Sequence, residues 1–277
     1  MSSKKENKSA GIQYLGLSAS TRTCKDAIIC LIQSNKLIEK ARLLTSSNRH
    51  CFLLMLEQGE KIAIKPGFTS GYGGEGPSAL SYIITLFEAF DIEIDEIDVD
   101  DEVIYRVDYS CLSDKDLEVI TESRAKHPNR VFDYVIERDL ELKKSGNLWK
   151  SFKPVIPFSI IDHRLSDLAI SFWDSPDEKI LIGYRRFEDT IRKRTGINEH
   201  GAKLFSEAYR GKEPKLTWDG LKGGELDGRI QLMIGSFMSY RNPRAHRESK
   251  HSAADYLLEF LLLNHLYKLE RESVDVS

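Results

Sequence analysis

The chain has little that would tie it to an oxidising compartment, a metal or a membrane. Its four cysteines, Cys24, Cys30, Cys51 and Cys111, form no Cys-x-x-Cys pair and no metal-ligand spacing. Neither a disulfide framework nor a zinc knuckle is therefore expected. No secretory leader pattern opens the chain, and no apolar run approaches the length of a membrane span. The longest, "YLLEFLLLNHLYKL" at residues 256–269, is too short and contains His265. Net charge is also scarce, at -3, and by itself implies nothing about nucleic acid. These shortages predict a cytoplasmic protein with reduced thiols, no metal, no cofactor and no membrane association.

What is present is ordinary globular material, 41% hydrophobic and 30% charged over 277 residues. That is enough for one large domain or two modest ones with real cores. The charge is unevenly spread. Residues 178–277 hold 18 Lys and Arg against 15 Asp and Glu, and residues 1–177 hold the other 22 against 28. A mildly basic C-terminal third is compatible with a nucleic-acid site there.

Residues 1–15 are polar and read as a disordered tail. From about 20 to 65 the apolar spacing favours helices: Ile28, Ile32, Leu37 and Ala41, then Phe52, Met55, Leu56, Gly59 and Ile62. The competing reading of "HCFLLMLEQGEKIAIK" is a β-hairpin turning at Gln58-Gly59. A Gly-rich loop opens a helix running through Phe90. Alternation after Asp91 suggests a strand or irregular edge. A short helix starts at Ser113, and a further one is expected within "RVFDYVIERDLELKKSG". Prolines 154, 157 and 176 place a boundary near residue 175. Beyond it lie four amphipathic helices. The first carries Ile180, Tyr184, Phe187 and Ile191 on one face and stops at Gly196. The second ends at Gly211, the third turns Ile230, Met233, Ile234 and Phe237 inward, and the fourth is "SAADYLLEFLLLNHLYKLERE". The expected architecture is mainly α: a mixed but mostly helical domain over 16–175, then a four-helix bundle over 176–277.

Between the third and fourth of these helices sits "SYRNPRAHRE". It puts Arg241, Arg244, Arg247 and His246 at a junction that needs only Asn242 and Pro243 to turn. Histidine titrates near neutral pH and can move a 2′-hydroxyl proton. A guanidinium matches phosphate geometry and stabilises charge building on phosphorus. The bland reading is that Arg241 is a cation at a helix C-terminus and His246 a turn residue.

Arg241, Asn242 and His246, in that order between two apolar helices, resemble the HEPN superfamily of ribonucleases, whose signature is Arg-x4-6-His with a polar residue after the Arg. The wider run "GELDGRIQLMIGSFMSYRNPRAH" looks like its Ymh-type branch, found in prokaryotic defence and toxin contexts. The resemblance covers roughly residues 178–272. It implies a HEPN-like bundle and metal-independent cleavage of RNA to 2′,3′-cyclic phosphate ends. In that reading His246 is the general base or acid, and Arg241 holds the scissile phosphate. Asn242 orients, Arg244 and Arg247 hold flanking phosphates, and two copies form a homodimer. Some HEPN toxins continue His-x-Tyr with a regulatory tyrosine; position 248 here is Glu, so that regulation is not implied. A non-catalytic HEPN-like module that binds RNA or a nucleotide is the alternative.

The stretch "GYGGEGPSAL" is the second unusual one. Gly71, Gly73, Gly74 and Gly76 permit close backbone approach ahead of a helix N-terminus. There is no Walker Lys and no dinucleotide spacing. A ligand loop, an RNA-contacting loop and a tight structural turn are all open. The first would make residues 16–175 a regulatory or sensor domain with a partner or ligand of its own. "LIEKARLLTSSNRHCFLLMLEQGEKIA" resembles the helical pair of AbiV-type abortive-infection proteins, which implies helices there. The acidic run from Asp91 to Glu102 lacks a calcium-loop pattern and reads as a solvated face, with mimicry of RNA as an alternative. His163, His200 and His251 have no metal spacing.

Overall fold

The computed structural model describes residues 8–125, 129–241 and 251–276. It divides between Phe152 and Lys153 into two units, each with its own core.

In the first unit, strand β1 (Gln13–Leu15) leads into helix α1 (Thr21–Gln33). The helix was expected to run on past Leu37. It stops because Asn35 takes φ 54°, a left-handed conformation that Asn tolerates and a helix cannot continue through. Strands β2 (Ile38–Ser46), β3 (Arg49–Leu56) and β4 (Lys61–Thr69) follow. The helical reading of residues 50–65 is therefore corrected, and the hairpin is the arrangement realised. Its turn places Gln58 at φ 64° and Gly59 at φ 80°, the paired positive φ values that match strand twist. Helix α2 (Glu75–Ala89), strand β5 (Glu93–Asp98), and helices α3 (Asp101–Asp108), α4 (Asp114–Glu122) and α5 (Glu137–Lys144) complete the unit.

The sheet order is β1-β4-β3-β2-β5. The β2-β3-β4 meander is antiparallel, and the flanking β1 and β5 run parallel to β4 and β2. One face packs Ala41, Leu43, Phe52, Leu54 and Ile64 against Ile28 of α1 and Ile83 and Phe87 of α2. The other packs Leu44, Cys51, Leu53 and Ala63 against Ile104 and Val107 of α3 and Ile120 of α4. The result is a sheet between two helical layers, not the mostly helical domain expected. The periodicity misled because strands covered on both faces carry continuous apolar runs. Each large side chain buried this way contributes about 1.5–3 kcal/mol relative to exposure. In the acidic run, Asp91, Glu93, Asp98, Asp100, Asp101 and Glu102 are exposed, as a solvated face would be, and Asp95 and Glu96 are not. Asp95 pairs with Arg42 at 2.8 Å, and Glu96 lies buried.

The second unit begins at Lys153, so residues 153–175 belong to it rather than to the domain before. Ile156, Leu165, Leu168 and Phe172 enter its core. Helices α6 (Ser166–Ile170), α7 (Pro176–Thr195), α8 (Gly201–Arg210), α9 (Gly224–Ser236) and α10 (Ala253–Glu272) build it. Helix α7 buries Ile180, Tyr184, Phe187 and Ile191 and ends at Gly196 with φ 70°. Phe187, Phe205 and Phe237 meet from α7, α8 and the end of α9. Ser252 caps α10 in a reciprocal box with Asp255, which fixes where that helix restarts. Glu270 near its end takes Arg164 at 2.6 Å and Arg194 at 2.7 Å. Among the described residues helix outweighs strand, so the fold is mainly α. Among the described residues no helix is long and apolar enough to cross a membrane.

Candidate functional site

Helix α9 does not end cleanly at Ser236. It continues as a π-helical turn, Phe237–Arg241. Such wide turns cost hydrogen-bond geometry and recur where a side chain must be aimed. Phe237 anchors the turn in the core, fully buried against Phe205 with ring centroids 4.2 Å apart. Tyr240 and Met238 stay exposed. Arg241 is the one side chain of the sequence motif that falls within the described residues. Asn242, Arg244, His246 and Arg247 lie outside them.

The Arg241 guanidinium lies with Nη2 3.7 Å from Oε2 of Glu188. Glu188 sits on α7 and is only 2% exposed. Burying a carboxylate costs several kcal/mol unless it is paired and hydrogen-bonded, and here it is both. Its Oε1 accepts the Gly201 N–H at 2.9 Å, and its Oε2 faces Arg192 Nη2 at 3.3 Å. Glu188 thus ties together α7, the start of α8 and the end of α9. Arg192 also pairs with Asp189 at 2.5 Å, so two guanidiniums face two carboxylates. The Nε of Arg241 is buried and has no hydrogen-bond partner among the described residues. Arg192 also approaches Nδ1 of the exposed His200 at 3.4 Å. The hydroxyl of Tyr184, one turn before Glu188, is buried without a hydrogen-bond partner among the described residues. Burial first, and the nearby Glu259 and Tyr240, push its pKa well up.

Sequence reasoning missed Glu188 and Arg192, and considered His200 only as a metal ligand. The available signal was Glu188 and Arg192 at i,i+4 on α7, a spacing that usually marks a surface ion pair.

The Gly-rich loop resolves into distinct roles. Gly71 takes φ 85°, and a Cβ there would lie 3.3 Å from the Asn48 side chain. A Cβ on the buried Gly76 would meet Thr69 Oγ1 at 2.0 Å, so this glycine lets α2 start against β4. Gly73 and Gly74 are exposed. The loop hangs from a polar relay at the end of the sheet. Thr45 Oγ1 donates to Glu96 at 2.7 Å. Having spent its one proton, it must accept from His50 Nδ1, 2.9 Å away. That fixes the tautomer and leaves Nε2 to accept the Ser70 hydroxyl at 2.8 Å. Tyr134 donates to the same Glu96 oxygen at 2.7 Å, and Arg130 Nε lies 3.2 Å from the other. Burial and the Arg130 charge lower the His50 pKa to about 4. Burial and the hydrogen bond to Glu96 push Tyr134 up to about 12.

His163 and His251 fall in the second unit, and no group of three metal-binding side chains occurs among the described residues.

The model of a family described as "Protein of unknown function (Hypoth_ymh)" matches residues 175–268, the stretch from the start of α7 to near the end of α10. No curated protein matches. A chain of "Respiratory complex I from Thermus thermophilus" is similar at 19% identity, over 43% of this chain and 99% of that chain, with a TM-score of 0.37. A likeness that slight carries no argument about fold or function.

Proposed function

We propose that the second unit is a HEPN-type ribonuclease bundle, acting without a metal as a toxin or antiviral effector. The observation that carries this reading is the delivery of Arg241. A π-helical turn brings it to a buried carboxylate with its Nε unspent, one residue before Asn242 and five before His246. In the proposed reaction His246 removes the 2′-hydroxyl proton, and that oxygen attacks the adjacent phosphorus. Arg241 stabilises the charge on the phosphoryl oxygens. The 5′-oxygen leaves with a proton, and a 2′,3′-cyclic phosphate remains. Glu188 holds the Arg241 guanidinium in place. Arg244 and Arg247 bind flanking phosphates, and Asn242 orients the scissile one. The active form is a cytoplasmic homodimer joined through this unit.

A second reading has one specific observation in its favour. Arg241 already faces Glu188, and a cation spent on a buried carboxylate is a structural part. In that case the unit binds RNA or a nucleotide, or assembles with a partner, and cleaves nothing. Overproduction separates the two. The enzyme arrests growth, and His246→Ala restores it at equal protein level. Arrest that persists with His246→Ala, or no arrest by the wild type, supports the binding module.

A further inference from the structure

The first unit contains a cavity of about 250 Å3, lined in part by Glu75 and Ser78 of the Gly-rich stretch. It lies where the amino ends of α1 and α2 meet the segment carrying α5. Four cations line it: Arg22 and Lys25 from α1, Arg138 from α5, and Lys150 beyond it. Two carboxylates, Glu75 and Asp139, share the lining. Asp139 is fully buried and already committed. It accepts the Ser81 hydroxyl at 2.6 Å and faces the Arg138 guanidinium at 3.1 Å. Arg138 and Asp139 therefore cancel, leaving Arg22, Lys25 and Lys150 against Glu75 alone. None of those three cations has a carboxylate partner among the described residues.

The placement of these charges is imposed by packing. The Lys25 ammonium lies 5.4 Å from the centroid of the Tyr82 ring, and the Tyr82 hydroxyl donates to the Leu148 carbonyl at 2.7 Å. That bond ties α2 to the turn carrying Lys150. Gathering like charges in one concavity raises its potential and favours an anion. Both helices add to this. They present the positive ends of their dipoles here, and neither Ser20 nor Gly74 caps its helix with a side chain. Ser78 contributes a neutral hydroxyl to the lining.

We infer that this cavity binds a small phosphorylated ligand of nucleotide size. Arg22 engages the phosphate through its planar fork, and Lys25 and Lys150 act as point charges. Glu75, at the mouth of the Gly-rich loop, opposes anion binding and sets its strength. A cavity of this size encloses a phosphate with its sugar, whereas a polynucleotide would lie across it. The inference stands apart from the ribonuclease reading, because every lining residue belongs to the first unit.

The test is calorimetric titration of the full chain with 5′-nucleoside monophosphates, inorganic phosphate and the matching nucleosides and, for the His246→Ala chain, which leaves RNA intact, an oligoribonucleotide lacking terminal phosphates. A monophosphate binds, inorganic phosphate displaces it, and the nucleoside does not. The double variant Arg22→Ala, Lys150→Ala weakens binding about tenfold or more, as expected for two lost charge-assisted contacts. Glu75→Gln strengthens it, which a merely misfolded variant does not do. The inference is overturned if no monophosphate binds the wild type or if binding survives the double variant. It is equally overturned if the unphosphorylated oligoribonucleotide displaces the monophosphate, which would make the cavity part of an RNA path.

Discussion

The Arg241 guanidinium and the Glu188 carboxylate lie 3.7 Å apart, and Glu188 is the more deeply buried of the two. The carboxylate is thus the fixed partner and the arginine the adjustable one. Glu188→Gln keeps the size of the side chain and its acceptor for the Gly201 N–H. It removes the charge that opposes Arg192 and Arg241. The unit is expected to lose about 1–3 kcal/mol of stability, read as a fall in urea midpoint. RNA cleavage should fall further than that loss explains, since Arg241 is no longer held. Unchanged cleavage with lowered stability would make Glu188 a purely structural residue.

His50 predicts a pH dependence in the first unit. Its folded pKa, about 4, lies below the usual value of about 6.5. Between those two pH values the unfolded chain binds the proton and the folded chain does not. Stability therefore falls as pH drops from about 6.5 to about 4, by an amount on the order of 3 kcal/mol from this residue. Above about 6.5 the histidine contributes no slope. An NMR titration of the His50 ring in the folded protein checks it directly. A midpoint near 6.5 would contradict the buried relay from Ser70 to Glu96.

Gly76→Ala is expected to destabilise the first unit by about 1–3 kcal/mol, the usual cost of forcing atoms into a filled space. The added Cβ would fall 2.0 Å from Thr69 Oγ1 and 3.3 Å from its backbone nitrogen. Gly73→Ala, with nothing within 4 Å, should change little. Thermal melts of the two variants distinguish a packing glycine from a ligand glycine.

Helices α7 to α10 of the second unit were legible because they bury apolar stripes and are punctuated by Gly196, Gly211 and Ser252. The sheet of the first unit was not. Leu43 and Leu44, or Phe52 and Leu53, point to opposite faces yet are all buried, so no alternation marks them as strand. Asn35 and Gln58 bend the chain with positive φ, although neither is glycine. Within the candidate site, Arg241 announced itself through its neighbours in sequence. Glu188 did not, because only the start of α8 and the π-helical turn make it buried. The cations of the phosphate cavity are spread from residue 22 to residue 150, and folding alone gathers them.

The most direct test is cleavage of total RNA by the purified wild type, Arg241→Ala and His246→Ala, with EDTA present and the new 3′ ends identified. The account predicts 2′,3′-cyclic phosphate ends from the wild type and none from either variant. Cleavage that persists in both variants, or that EDTA abolishes, would contradict it.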